Sequence, residues 1–274
     1  MRNPAILVVG ATGKTGRRVA ARLSARGVAV RGVSRSSSPA FHWAQPETYA
    51  AALKGVTAAY VTYHPDLNAP EAPDAITAFV EEARAQGVRR LVLLSGRGES
   101  GARRCEAIVA ESGLEYTVLS AAWFAQNFSE GVLLDQVRAG FVAMAAGAVP
   151  EPFVDVEDIA DVAVAALTGD AHVNRVYELT GPRALTFHEA AAEIAEAAGR
   201  PVVYLPMELP EFRAALAETD GPEYADLITA LCAEVFDGRN ATPTDDITRA
   251  LGRAPRDFTT FCHTAAATWR TESR

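Results

Sequence analysis

The chain has 274 residues, 49% of them hydrophobic and 22% charged, with a formal net charge of −8 at pH 7. Such a composition belongs to a globular protein long enough for a sizeable core, and its acidity argues against a binder of nucleic-acid phosphates, which presents a basic face. No apolar run approaches the roughly 18 residues of a membrane-spanning helix, the opening MRNPAILVVG lacks the order of a secretory signal, and three scattered cysteines (Cys105, Cys232, Cys262) fit neither a disulfide framework nor a zinc knuckle; a reducing cytoplasm, no membrane partner and no metal are expected.

Apolar runs of strand length alternate with segments of helical period. AILVVG (5–10) has the continuous apolar character of a buried strand, and KTGRRVAARLSARG (14–27) is a helix stopped by glycine. VAVRGVS (28–34) is a second strand, PETYAAALKG (46–55) a short helix and AAYVTY (58–63) a third strand. PDAITAFVEEARAQG (73–87) places Ile76, Phe79, Val80 and Ala83 on one helical face before the strand RLVLLSG (90–96). A helix over 104–112 leads to YTVLSAA (116–122), the fifth strand. Fully apolar strands joined by amphipathic helices predict an α/β fold, a parallel sheet covered on both faces.

Beyond residue 125 the rhythm changes. PFVDVEDIADVAVAAL (152–167) reads as a short extended piece and then a helix, with Asp155, Glu157 and Asp158 at its positive end. VYELTG (176–181) is a late strand, TFHEAAAEIAEAAG (186–199) a helix capped by Thr186, and VVYLPM (202–207) a short strand. Residues 208–236 and 243–271 are expected to be helical.

The stretch VVGATGKTGRRVA (8–20) admits two phosphate-binding readings. An ATPase loop needs glycine, four residues, then Gly-Lys-Ser/Thr, and the position that Gly13-Lys14-Thr15 would require is Val8, inside the strand. What remains is Gly10, Gly13 and Gly16 between a strand and a helix. Gly10 serves a tight turn, Gly13 the approach of a pyrophosphate, and Gly16 close packing of helix on sheet. Thr12, Lys14 and Thr15 complete this cofactor loop, whose helix supplies free N–H groups to the anion. The second strand ends Ser34-Arg35-Ser36, with no acid to bond a ribose 2′-hydroxyl; the Arg35 guanidinium, with Lys14 and Ser36, suits a 2′-phosphate and so NADP(H). Thr62, Tyr63 and Ser95 end the third and fourth strands, where a cofactor crosses an open sheet.

Several stretches taken together resemble the atypical short-chain dehydrogenases of the NmrA-like group: GATGKTGRRVA, GVSRSSSPAFHW, GVRRLVLLSG, SGLEYTVLSAAWFAQNFSE and PFVDVEDIADVA. Within that group they look most like the ergot-alkaloid-type reductases, the festuclavine and agroclavine dehydrogenases. The resemblance implies a Rossmann-like doubly wound parallel sheet that binds NADP(H) over 1–150, with 151–182 returning to it. A small, mostly helical C-terminal region, 183–274, would close over a substrate cleft. Ser120-Ala121 departs from the Arg-Pro common before the aromatic segment, and His42 from an Asp often found before Trp43.

No Tyr-x-x-x-Lys pair exists, since the only lysines are Lys14 and Lys54 and neither follows a tyrosine by four, so carbonyl–alcohol exchange by that route is not expected. The catalytic proton donor is left unassigned; His64 is one candidate. Trp123, Phe124 and Phe128 form an aromatic wall for a planar or cationic substrate, with Asn127 beside them. Cys105 carries no sign of an activated thiolate, and Arg97, Arg103 and Arg104 form a basic cluster of solvated character. The expected function is an NADPH-dependent reductase delivering hydride to an electrophilic small molecule, an imine or iminium first and a quinone second. Its competitor is an NADP(H)-sensing regulator acting through a protein partner. A homodimer is the assembly to test for.

Overall fold

The computed structural model describes residues 5–270; residues 1–4 and 271–274, among them the last residue of the helical stretch expected over 243–271, lie outside the described part. Eight strands occur among the described residues: β1 (Ala5–Val9), β2 (Val30–Val33), β3 (Val56–Val61), β4 (Arg90–Gly96), β5 (Glu115–Ala121), β6 (Phe141–Met144), β7 (Arg175–Leu179) and β8 (Val203–Pro206). Six of them make one parallel sheet in the order β2-β1-β3-β4-β5-β7, while β6 and β8 pair with each other. The helices are α1 (Lys14–Ala25), α2 (Tyr49–Leu53), α3 (Ala72–Ala85), α4 (Ser100–Ala110), α5 (Asn127–Glu130), α6 (Leu134–Ala139), α7 (Val156–Thr168), α8 (Phe187–Ala198), α9 (Leu209–Asp220), α10 (Pro222–Val235), α11 (Asp246–Leu251) and α12 (Phe258–Trp269).

Both faces of the large sheet are covered, as its uninterrupted apolar strands require. Leu7, Val9, Val61, Leu91 and Leu93 pack with Ile76 and Phe79 of α3 and with Cys105 and Val109 of α4. Ile6, Val8, Tyr60, Val92 and Leu119 face the other way, onto Val19 and Leu23 of α1 and Ile159, Val162 and Ala163 of α7. Strand β1 has β2 on one side and β3 on the other, and the chain leaves in opposite directions there. A crevice therefore opens at the carboxyl ends of these strands, where open α/β sheets take ligands. A third core joins Phe128, Phe153, Phe187, Phe258 and Trp269 with Val142 and Met144 of β6, so α8, α12 and the small sheet are packed around aromatic rings.

Helix α4 begins at Ser100, earlier than its periodicity suggests. The long helical stretch over 208–236 breaks at Gly221, whose φ of 88° is left-handed, followed by Pro222, which has no N–H to continue the ladder. The last stretch breaks likewise at Gly252. Strand β6 goes unannounced in the sequence because FVAM is only four residues long and sits between Gly140 and a loop. It gives residues 203–206 their partner outside the main sheet.

Acids at the head of α7 do more than meet a helix dipole. Asp155 accepts from Glu157 N–H at 2.8 Å, and Glu157 pairs with Arg18 at 2.5 Å and with Arg22, tying α7 to α1. Asp158 is fully buried and bonds Arg253 at 2.7 Å, the Arg256 backbone N–H at 2.6 Å and the Arg256 guanidinium. Asp158→Ala is expected to lower stability by about 2 kcal/mol, less than for a wholly buried pair, because both arginine side chains are a third or more exposed and find water. Chemical denaturation measures it; a loss near zero would mean these pairs contribute nothing to the fold.

Candidate active site

A cleft of about 330 Å³ lies at the carboxyl ends of β3, β4 and β5. Thr62 and Tyr63 line it from β3, Ser95 and Gly96 from β4, and Ala121 through Phe124 from β5. Tyr224, Ile228, Leu231 and Val235 of α10 form the facing wall, with Lys14 and Asn127 at the side of the glycine turn. Sheet ends and a C-terminal helix thus enclose one space, with a half-apolar lining suited to a small planar molecule.

The glycine turn is built for close approach. Gly10 has φ +71°, and a side-chain carbon there would meet Thr62 Oγ1 at 2.4 Å. One at Gly16 would meet Gly10 O at 2.2 Å. Gly13 caps α1 with extended backbone and no side-chain hydrogen bond, leaving the first-turn N–H groups to an anion. Thr12 and Gly13 are exposed at this end, whereas Thr15 is buried. Ser34 and Ser37 close the turn after β2 through Ser34 N–H to Ser37 Oγ at 2.8 Å, and Arg35 and Ser36 are exposed beside it. Among the described residues the Arg35 guanidinium has no protein partner. Lys14 takes a different partner from the second-strand turn: its ammonium donates to Asn127 Oδ1 at 3.0 Å and lies against Gly131. Burial lowers its pKa, with Glu130 opposing. Ser95 is buried at the cleft, with its hydroxyl near the Glu106 carboxyl on α4. These residues fit a nicotinamide dinucleotide, whose pyrophosphate the glycine turn would take.

Trp123, Phe124 and Asn127 line the cleft. Phe128 does not. Its ring is fully buried against Phe153, Phe187 and Phe258, which corrects the expectation that it forms part of a substrate wall. His64 is exposed and outside the cleft lining. Cys105 is buried and its thiol is pushed up to about 11, chiefly by burial, so it stays protonated. Arg97 is not solvated: it donates to Glu178 at 2.8 Å, Asn240 O at 2.8 Å and Thr242 O at 3.0 Å, a strut from β4 to the segment before α11. Arg103 and Arg104 are exposed, as the sequence suggests.

Three acids on the cleft escaped the sequence reading. Asp66 and Glu99 face each other: burial raises Asp66, with the Asn68 N–H and a hydrogen bond from Glu99 opposing, while burial and the Asp66 charge hold Glu99 well above its usual range. Of the two, Glu99 is the one that keeps a proton. Glu99 lies directly over Gly96, where any side-chain carbon would fall about 2.0 Å from its carboxyl. The third is Glu151. It is fully buried, its Oε1 accepts the Trp123 backbone N–H at 3.0 Å, and its Oε2 has no partner. Burial raises its pKa to about 7, with the Trp123 N–H and the Arg97 guanidinium opposing. The available signal was a lone acid between two prolines in the apolar run AGAVPEPFV. An acid so placed either meets a partner or stays neutral.

Known proteins carry the same plan. Residues 10–170 match the family model described as NAD(P)H-binding. An uncharacterized oxidoreductase, YesF, of Bacillus subtilis (strain 168) is 30% identical, with 98% of each chain covered. An NAD(P)H azoreductase of Xenophilus azovorans is 31% identical over 96% of this chain and 98% of its own. Festuclavine dehydrogenase of Aspergillus fumigatus is 27% identical over 96% and 98%. The fold matches an NADPH-dependent quinone oxidoreductase of Escherichia coli, solved with NADPH, at a TM-score of 0.75 and 21% identity over 94% and 99%. The glycine turn, the six-stranded sheet and these full-length matches place the chain in the NAD(P)H-binding family, as an NAD(P)H-dependent oxidoreductase of the atypical, NmrA-like short-chain dehydrogenase type.

Proposed function

We propose that the protein uses NADPH to reduce a planar, electrophilic small molecule, with imines and iminium ions ranked first and quinones second. The observation that carries this reading is the cleft itself: it runs from Lys14, beside the glycine turn, to the aromatic Trp123 and Phe124, in a chain without a Tyr-x-x-x-Lys pair. An acceptor with an electrophilic C=N bond needs placement more than strong acid catalysis. Festuclavine dehydrogenase and the azoreductase among the relatives are consistent with C=N and N=N acceptors. When bound, the reduced nicotinamide supplies the hydride. Gly10, Gly13 and Gly16 admit the pyrophosphate, Ser95 and Asn127 hold the nicotinamide end, and Trp123 and Phe124 orient the acceptor while α10 excludes water.

Loss of NADPH absorbance with a panel of cyclic imines, iminium salts, azo compounds and quinones tests this. Turnover concentrated in the C=N acceptors is expected. Silence throughout, with saturable binding of both NADPH and NADP⁺, would favour a cofactor sensor instead. Preference for NADPH over NADH rests on the unpartnered Arg35 and on the lack of an acid at the end of β2. Arg35→Asp is expected to raise the Kd for NADPH at least about tenfold, or roughly 1.4 kcal/mol, and to leave NADH nearly unaffected. Equal losses for both cofactors, measured by calorimetry, would remove Arg35 from the site.

A further inference from the structure

We propose that Glu151 is the proton donor when the acceptor is neutral, so that neutral acceptors depend on it and acceptors already carrying positive charge do not. This rests on the reductase reading above and narrows it.

The geometry singles out this carboxyl. Its Oε1 is fixed by the Trp123 N–H, the backbone of the residue that begins the aromatic wall, so the group cannot swing away. Its backbone is pinned on the other side, where Glu151 N–H donates to Leu185 O at 2.9 Å and Leu185 N–H returns a bond to Glu151 O at 3.0 Å. The free Oε2 is buried without a partner on the wall of the cleft. A buried oxygen with nothing to bond is costly unless it carries a proton or meets a ligand.

Other ionisable groups that face the same space are otherwise engaged. Lys14 is bonded to Asn127, and Arg97 has its three bonds to Glu178, Asn240 and Thr242. Glu99 is paired with Asp66, toward which it holds its proton. The Tyr63 hydroxyl is pushed up to about 12 by burial, and that of Tyr224 is raised for the same reason. Glu99 also keeps a buried oxygen, Oε2, without a partner, but its carboxyl sits against that of Asp66; Glu151 pairs such an oxygen with a second one held by a backbone N–H. Protonated near neutrality, it also has the acidity that general acid catalysis favours.

The step balances with the reductant already assigned. A bound reduced nicotinamide would supply the hydride, two electrons and one proton's worth of hydrogen, to the carbon of a C=N bond, one nitrogen of an N=N bond or a quinone, and would itself be oxidised. The displaced π pair settles on the nitrogen of C=N, the second nitrogen of N=N or the quinone oxygen and takes the proton from Glu151 Oε2, leaving a carboxylate that regains its proton from water after the product has left. An iminium ion, by contrast, becomes a neutral amine on hydride addition alone and asks nothing of Glu151.

Glu151→Gln keeps shape and the Trp123 bond while removing the proton. On an azo compound or a quinone, neither of which titrates near neutrality, kcat is expected to fall roughly 100-fold, as general acid removal does. Reduction of an N-alkylated iminium salt is expected to stay at the wild-type rate. With wild-type protein, kcat on the neutral acceptors should decline above pH 7 with one ionisation that the variant lacks. A readout without turnover is the dead-end complex of NADP⁺ with the oxidised acceptor. Calorimetry in two buffers of different ionisation enthalpy should register proton uptake on binding above that pH, absent in Glu151→Gln. Equal losses on neutral and charged acceptors would reduce Glu151 to a support for Trp123, and no loss on either would place the donor elsewhere. A wild-type protein inert to every acceptor would instead remove the reductase reading, and Glu151 with it.

Discussion

Gly16→Ala is expected to unseat the cofactor and destabilise the fold together. The added carbon falls 2.2 Å from Gly10 O, 2.8 Å from Gly10 C and 3.2 Å from Ala11 Cα. All three are backbone atoms of the turn that follows β1, so no side chain can rotate out of the way. Relief comes only from lifting α1 off the sheet, which strips contacts from Val19 and Leu23 and moves the first-turn N–H groups away from the pyrophosphate position. Overpacking of this kind costs about 3 kcal/mol, at the upper end of the usual range because the clash is with main chain. The NADPH Kd is expected to rise by more than about tenfold beyond what the lost stability explains. Gly27→Ala is the useful contrast: it meets nothing within 4 Å, and its cost comes from a φ of +72° alone. Thermal unfolding and calorimetry on both variants separate the effects. Unaltered NADPH affinity in Gly16→Ala would show that the turn is packed tightly for the sheet and not for a ligand.

The parallel sheet was legible because each of its strands is a short apolar run bounded by glycine or a loop, and each connecting helix shows its buried face in the spacing of residues such as Ile76, Phe79 and Val80. The glycine turn after β1 was legible because Gly10 and Gly16 answer a backbone demand that no other residue meets. The cleft was less so. Trp123 and Asn127 reach it while Phe128 does not, and nothing in WFAQNFSE distinguishes rings that face the cleft from a ring locked among Phe153, Phe187 and Phe258, since those partners come from three distant segments. The acids were hidden for a related reason. Asp66, Glu99 and Glu151 sit in three loops and meet only when β3, β4 and the segment after β6 are side by side. Sequence spacing registers neighbours along a helix or strand; it carries no information about which loops share a space. Arg97 shows the same limit from the other side: a charge that reads as solvated in GRGES becomes a buried strut once Asn240 and Thr242 arrive.

Glu151 also makes a prediction about stability that needs no substrate. Its carboxyl has a pKa of about 7 in the folded chain against an ordinary value of 4.5, so folding favours the protonated form. An acid raised in this way leaves stability intact below the unfolded value and withdraws it as pH climbs toward and past the folded one. Across pH 5 to 8.5 the loss from this single group is roughly 3 kcal/mol, an upper figure for a shift of this size. Asp66 and Glu99 are raised as well and act in the same direction, while Glu130, Glu157 and Asp161, lowered by their arginines, lose their contribution only at acid pH. Comparison with Glu151→Gln removes those shared terms. At pH 5 the two proteins are expected to unfold at similar denaturant concentration, because both carry a neutral group at this position. At pH 8.5 the variant is expected to be the more stable, since the wild-type protein must then either ionise a buried carboxylate or hold a proton that solvent would take. Curves for the two proteins that run parallel across this range would mean that water reaches Glu151 freely, and its oxygen would no longer be a poised acid.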